Sequence, residues 1–212
     1  MSIQEGDKIP AATLHSMQDG KPTPMTTEEI FAGKKVVLFA VPGAFTPTCS
    51  MAHLPGYVVN ADSIKGKGVD TIACVSVNDA FVMDAWGQNK NAEELLMLGD
   101  GNGDLTEALG LTMDGSGFGL GKRSQRYAMI VEDGTVTKLS VEAPGKFEVS
   151  AAEQSSKHCK FCGLTGALNI KVRQSNRRIY SASRIASAAL TSNLPGASTE
   201  SLVTVPSSTI MA

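Results

Sequence analysis

The stretch "KKVVLFAVPGAFTPTCSMAHLPGY", Lys34 to Tyr57, decides how this chain is read. It opens as a short apolar run with β-branched residues, led by lysines, which reads as a strand buried on both faces. The run stops at Pro42, and Gly43, Thr46, Pro47 and Thr48 lead to a thiol at Cys49. From Cys49 to Gly68 the pattern reads as a helix, with a kink expected at Pro55 and stop signals at Gly66 and Gly68. A strand, a Pro- and Gly-bearing loop and a helix thus place a cysteine in a first helical turn.

Outward from that unit, "VDTIACVSV" (69–77) reads as a second buried strand. Asp79 fits an N-cap and opens a helix over "AFVMDAWGQN". Leu95 to Gly99 reads as a strand, and Asp104 to Leu109 as a short helix. "RYAMIVEDGTVTKLSVE" (126–142) reads as a hairpin that turns at Asp133-Gly134. This order predicts an α/β sandwich: a mixed central sheet with a parallel portion and an antiparallel edge, flanked by helices. The domain is expected to span 1–153. From Gln154 to Ala212 the chain is rich in Ser, Ala and Thr, and no aromatic follows Tyr180. That low-complexity tail is expected to be mostly disordered, with one marginal helix over "RRIYSASRIASAAL".

Composition removes several classes of function. The formal net charge of the 212 residues is -2, so the chain lacks the basic footprint of a nucleic-acid or anionic-membrane binder. No apolar run approaches the roughly 20 residues that span a bilayer. "MSIQEGDKIP" shows no basic region followed by an apolar one, and a cytoplasmic location is the expectation. The four cysteines, Cys49, Cys74, Cys159 and Cys162, are too few for a disulfide-held scaffold. In a reducing compartment such cysteines are catalytic, metal-binding or simply buried.

Position 49 can be argued physically. A thiol reacts as its thiolate, and an unperturbed cysteine is only a few per cent ionised at neutral pH. In a first helical turn, unpaired backbone N–H groups and the positive end of the helix dipole favour S⁻. Thr46 lies close enough for its hydroxyl to reach the sulfur or a bound substrate, and Pro42 and Pro47 stiffen the loop and remove two N–H donors. The residues alone leave two readings open: a reactive thiol, or a buried structural cysteine at a strand–helix junction.

"PGAFTPTCS" followed by "HLPGY" resembles the active-site segment of the peroxiredoxins, thiol peroxidases of thioredoxin-like fold. Pro42, Thr46 and Cys49 match the pattern Pro-x-x-x-Thr-x-x-Cys, and the fuller string is similar to the type II, or type 5, subgroup. "ACVSVNDAFVMDAWG" and "GKRSQRYAMIVEDG" resemble it too, so the likeness runs from about Ile3 to Val149. The resemblance implies that Cys49 attacks a peroxide oxygen and becomes a sulfenic acid. It implies that Thr46 holds the peroxide, that Pro42 shields the pocket, and that Arg126 stabilises the thiolate and the leaving oxygen. Arg123 is the second candidate for the guanidinium. His53, four residues after Cys49, is a candidate imidazolium or a structural histidine.

The resemblance also implies a route back to the thiol. Some members carry a second cysteine at the strand position of Cys74, where it resolves the sulfenic acid as an intramolecular disulfide. That demands local unwinding, because a disulfide needs Cα atoms within about 7 Å. The alternative is an inert buried Cys74, with glutathione or glutaredoxin attacking directly. Implied substrates are hydrogen peroxide and alkyl hydroperoxides, and implied electron donors are thioredoxin or glutaredoxin/glutathione. No metal, haem or flavin is required, and the assembly is a monomer or a homodimer. Rival functions are thiol–disulfide exchange on proteins and redox sensing with little turnover. "HCKFCG" has Cys-x-x-Cys spacing but lacks the ligands of a zinc site, and Cys159 and Cys162 read as incidental thiols in a flexible segment. "DGNGDLTE" fails as a calcium loop, and "GSGFGLG" reads as a flexible loop leading to Arg126.

Overall fold

The computed structural model describes residues 1–159. The expected helix over 177–190, Cys162 and the rest of the tail lie outside them. The chain begins with a hairpin that the sequence reading passed over: β1 (Thr13–Gln18) and β2 (Lys21–Thr26) turn at Asp19-Gly20, both with positive φ, at 51° and 74°. That is the Asp-Gly turn whose twist matches paired strands. Pro22 and Pro24 within β2 confine it to a sheet edge. Thr26 and Glu29 close a capping box on α1 (Thr27–Phe31).

β3 (Lys35–Ala40) is the strand expected there. It runs through the Pro42 loop into a π-helical turn, Cys49–His53, and then α2 (Leu54–Lys65). The kink expected at Pro55 is instead a change of hydrogen-bond register one turn earlier, where Leu54 N–H donates to the Cys49 carbonyl. Pro55 has no N–H to continue an i→i−4 ladder, so it tolerates the switch. β4 (Thr71–Ser76) follows, then α3 (Ala80–Asn89), capped by Asp79 as expected, β5 (Leu96–Gly99) and α4 (Asp104–Ala108). The Asp100 carboxylate accepts from Leu105 and Thr106 N–H groups, which explains the acidic loop that imitates a calcium site. β6 (Thr112–Asp114) and β7 (Lys122–Ser124) form a ribbon around the Gly-rich segment. That segment is tied, with Gly115 N–H donating to Gly121 O. β8 (Tyr127–Glu132) and β9 (Thr135–Val141) are the expected hairpin.

Among the described residues the main sheet has seven strands in the order β2-β1-β5-β4-β3-β8-β9. β3, β4 and β5 are parallel and the outer pairings antiparallel, so the sheet is mixed as expected. Alternation along the strands separates two cores. Val37 and Phe39 of β3 face the side holding Cys49, Tyr57, Met83 and Trp86. Val36, Leu38 and Ala40 face the side holding Ile30, Phe31, Leu105 and Leu109. By the same two-residue period Cys74 shares the face of Cys49.

α5 (Ala152–His158) spans the position of the boundary expected at Glu153 and docks on α2. Lys67 Nζ donates to Ser156 O at 2.6 Å and Oγ at 2.7 Å, and the Tyr57 hydroxyl meets Ser155 Oγ at 2.6 Å. Cys159 is likewise no incidental thiol in a flexible segment, for it is buried in the Cys49 core. "AEQSSKH" carries no apolar periodicity, and the helix is fastened by hydrogen bonds, so the hydrophobic pattern had nothing to signal.

Candidate active site

The chain is helical from Pro47, so Cys49 does lie in the first turn after β3. The preceding loop is held by Asn78, whose Oδ1 accepts from Ala44 N–H at 3.0 Å and Ser76 Oγ at 2.9 Å. Phe45 takes a left-handed φ of 61° there, and its ring packs near Trp86. Trp86 Nε1–H donates to Ser50 Oγ at 3.0 Å, fastening the residue next to the thiol to α3.

Cys49 is fully buried and free, and Arg126 reaches it from the start of β8. Arg126 Nη2 donates to Cys49 Sγ at 3.4 Å, and Nη1 lies 2.9 Å from His53 Nδ1. A guanidinium only donates, so Nδ1 accepts and the proton of the neutral ring is on Nε2. That nitrogen donates to the Ser150 carbonyl at 3.1 Å. Burial, and then the Arg126 charge, push His53 down to about 3. The candidate imidazolium is therefore excluded: His53 is a neutral acceptor for Arg126. Arg123 is spent elsewhere, donating to Leu120 O and Val77 O at 2.8 Å each.

A cavity of about 440 Å³ opens beside the guanidinium. Pro42, Thr48 and Arg126 line it, with Met113 and Phe118 from the β6–β7 ribbon and residues 142–146 beyond β9. Cys49 itself is buried, while its chain neighbour Thr48 and its hydrogen-bond partner Arg126 are part of the lining. Thr46 is half-buried and its hydroxyl donates to Gly43 O at 2.8 Å, which leaves the oxygen lone pairs as acceptors. Pro42, Cys49 and Arg126 are thus brought together, with Thr46 in the same loop.

Cys74 faces the same core, fully buried and free. Burial, with the neighbouring Cys49, pushes its thiol well above the usual range. Among the described residues, no group of three His, Cys, Asp or Glu side chains is arranged to hold a metal. No helix among them is long and apolar enough to cross a membrane.

Sequence reasoning missed the residues that orient the guanidinium from behind. Phe147 lies under it, 5.6 Å from ring centroid to Arg126 Cζ, and Ser150 supplies the carbonyl for both His53 and Tyr57. Glu142 accepts four hydrogen bonds on one oxygen, from the N–H groups of Glu148, Val149 and Ser150 and from Ser150 Oγ. A turn signal at Pro144-Gly145 was the only local clue to this segment.

A mixed sheet layered by helices, with a buried thiol opening the helix after β3 and an arginine on its sulfur, defines a thioredoxin-like thiol enzyme. A family model described as Redoxin matches residues 4–155. Rice peroxiredoxin-2E-2, chloroplastic, is 52% identical over 162 residues, covering 74% of this chain and 72% of its own. The Haemophilus influenzae hybrid peroxiredoxin hyPrx5 is 45% identical over 161 residues, covering 74% and 67%. Reduced Prx3 from Vibrio vulnificus, crystallised in complex with H2O2, is 61% identical with a TM-score of 0.73, covering 74% of this chain and 99% of that one. The chain belongs to the redoxin family and, within it, to the type II peroxiredoxins, which makes it a thiol peroxidase.

Proposed function

We propose that the protein reduces hydrogen peroxide and alkyl hydroperoxides through a sulfenic acid on Cys49, and that thioredoxin or glutaredoxin/glutathione returns the thiol. The observation that carries this is the Arg126 guanidinium, 3.4 Å from Cys49 Sγ and lining the cavity at the same time. It favours the thiolate, and it stands where charge develops on the departing oxygen. The Cys49 thiolate attacks one peroxide oxygen, the O–O bond breaks, and the second oxygen leaves as water or an alcohol, taking up the equivalent of the proton the thiol released on ionising. Thr46 Oγ1, its own proton given to Gly43 O, accepts from the peroxide hydroxyl. Pro42 keeps bulk water from the sulfur. The cavity of about 440 Å³ has room for an organic group as well as hydrogen peroxide. The similar Vibrio protein crystallised with H2O2 supports the smaller substrate.

Burial of Cys49 argues against direct exchange with protein disulfides, and position 52 holds Ala where a Cys-x-x-Cys oxidoreductase needs its second thiol. Regeneration therefore requires the π-helical turn to open. Cys74 as the resolving thiol belongs to this reading because it shares the Cys49 face, and its raised thiol makes opening a precondition for attack. The same reading places the protein in the cytoplasm as a monomer or homodimer, although two plant relatives are chloroplastic by name.

The test is steady-state peroxide consumption with thioredoxin and with glutaredoxin/glutathione. Cys49→Ser is expected to abolish it with both donors, and surviving activity rejects the mechanism. Cys74→Ser is expected to lose turnover with thioredoxin. Unchanged turnover with both donors removes Cys74 from the cycle.

A further inference from the structure

We propose that Glu142 is a positioning residue for the Cys49 thiol, acting through the 143–150 segment that its carboxylate holds against Arg126 and His53. This rests on Cys49 being the reactive group.

The segment cannot hold itself by burial. Residues 143–146, Glu148 and Val149 are exposed, and Phe147 is only half-buried. Its one internal main-chain bond is the turn Lys146 N–H to Ala143 O, built on Pro144 and on Gly145 at φ 76°. What closes it is Glu142, whose single Oε1 gathers Glu148 N–H at 2.7 Å, Val149 and Ser150 N–H at 2.8 Å each, and Ser150 Oγ at 2.9 Å. Charge-assisted bonds of this kind are about twice as strong as neutral ones. Burial pushes the Glu142 carboxyl up, but the donors from Ser150, Glu148 and Val149 outweigh it and hold the group below the ordinary carboxylate range. Glu142 is also anchored where it matters, because its own N–H donates to Arg126 O at 2.9 Å.

Everything the segment delivers converges on the thiol. Ser150 O fixes the Nε2–H tautomer of His53, whose Nδ1 then receives Arg126, whose other nitrogen lies on Cys49 Sγ. Phe147 supports the same guanidinium from below. Residues 143–146 form one wall of the cavity. A continuous polar chain therefore runs from Glu142 through Ser150, His53 and Arg126 to the sulfur. Without the carboxylate, three N–H groups and a hydroxyl lose their acceptor, and Ser150 O and Phe147 lose their fixed place.

The experiment measures site-resolved alkylation of Cys49 by iodoacetamide in the full chain, at pH 7 and pH 10, with melting temperature alongside. The ratio of the two rates reports how readily the sulfur ionises, separately from access and overall stability. Glu142→Ala is expected to lower that ratio about tenfold, the size of losing one well-placed charge contact. Glu142→Gln, which keeps a carbonyl acceptor in place, is expected to restore part of it. A folded Glu142→Ala protein with the wild-type ratio overturns the proposal. If Glu142→Ala does not fold, Glu142→Gln decides alone: a lowered ratio supports the role and an unchanged one overturns it. Alkylation needs no peroxide, so a negative result here is distinct from failure of the peroxidase reading, which peroxide consumption by Cys49→Ser would reveal.

Discussion

Two short segments meet at the Arg126 guanidinium, and they differ in how they were built. The loop 41–53 carries the reactive group, and its signals lie among neighbours in sequence: Pro42 and Pro47, the Thr46-to-Gly43 hydrogen bond, and the helix that starts at Pro47, with Asn78 and Trp86 fastening it from 34 and 36 positions away. The segment 142–150 carries no reacting atom. Its place depends on a carboxylate at its first residue and on partners about a hundred positions away, as in Ser150 O with His53 and Tyr57. Groups that react can be recognised from local rules, whereas groups that aim them are recognised only once the chain has folded.

The contrast can be broken at its centre first. Arg126→Gln is expected to lower kcat/KM for hydrogen peroxide by about a hundredfold or more, since it removes the charge facing the leaving oxygen. Arg123→Gln, whose partners are the backbone carbonyls of Leu120 and Val77, is expected to change it much less. Equal losses in the two variants would erase the distinction between the arginines.

His53 gives the next largest effect, read as stability against pH. The folded ring stays neutral down to about pH 3, while an unfolded histidine protonates near its ordinary value of 6.5. Across that window the unfolded chain binds the extra proton, so stability falls as pH drops from 6.5 toward 3, by up to about 1.4 kcal/mol per unit. Denaturant melts at pH 7, 6 and 5 are expected to show a shallower slope for His53→Asn, which keeps an acceptor for Arg126. Identical slopes would mean that His53 is not buried neutral.

A smaller effect tests the clasp behind the site. Tyr57→Phe removes the hydroxyl shared by Ser150 O and Ser155 Oγ, and is expected to cost about 1–2 kcal/mol in urea denaturation. The smallest belongs to α5: Lys67→Met removes two bonds to Ser156 at a partly exposed site and is expected to cost under about 1 kcal/mol. A larger loss for Lys67→Met than for Tyr57→Phe would shift the fastening of α5 from the buried hydroxyl to the surface ammonium.

Much of this was legible beforehand, and the exceptions share a cause. β3 and β4 are apolar runs, Asp79 is a capping residue, and Asp133-Gly134 is a turn dipeptide, so propensity and pattern sufficed. The β1–β2 hairpin had the same kind of signal at Asp19-Gly20 but two prolines obscured its second strand. α5 had none, because polar side chains dock it. The register change at Cys49–His53 depends on hydrogen bonding within a continuous helix, which a proline only hints at.

From its residues alone this protein had determined a strand, a stiff loop and a thiol in a first helical turn, because backbone geometry near Pro and Gly is a local matter. Which arginine reaches that thiol, that His53 is neutral, and that Glu142 braces the far wall were decided only by tertiary structure. The reason is that charge and hydrogen-bond partners act through space at a few ångströms, while the residues that supply them stand up to about a hundred positions apart along the chain.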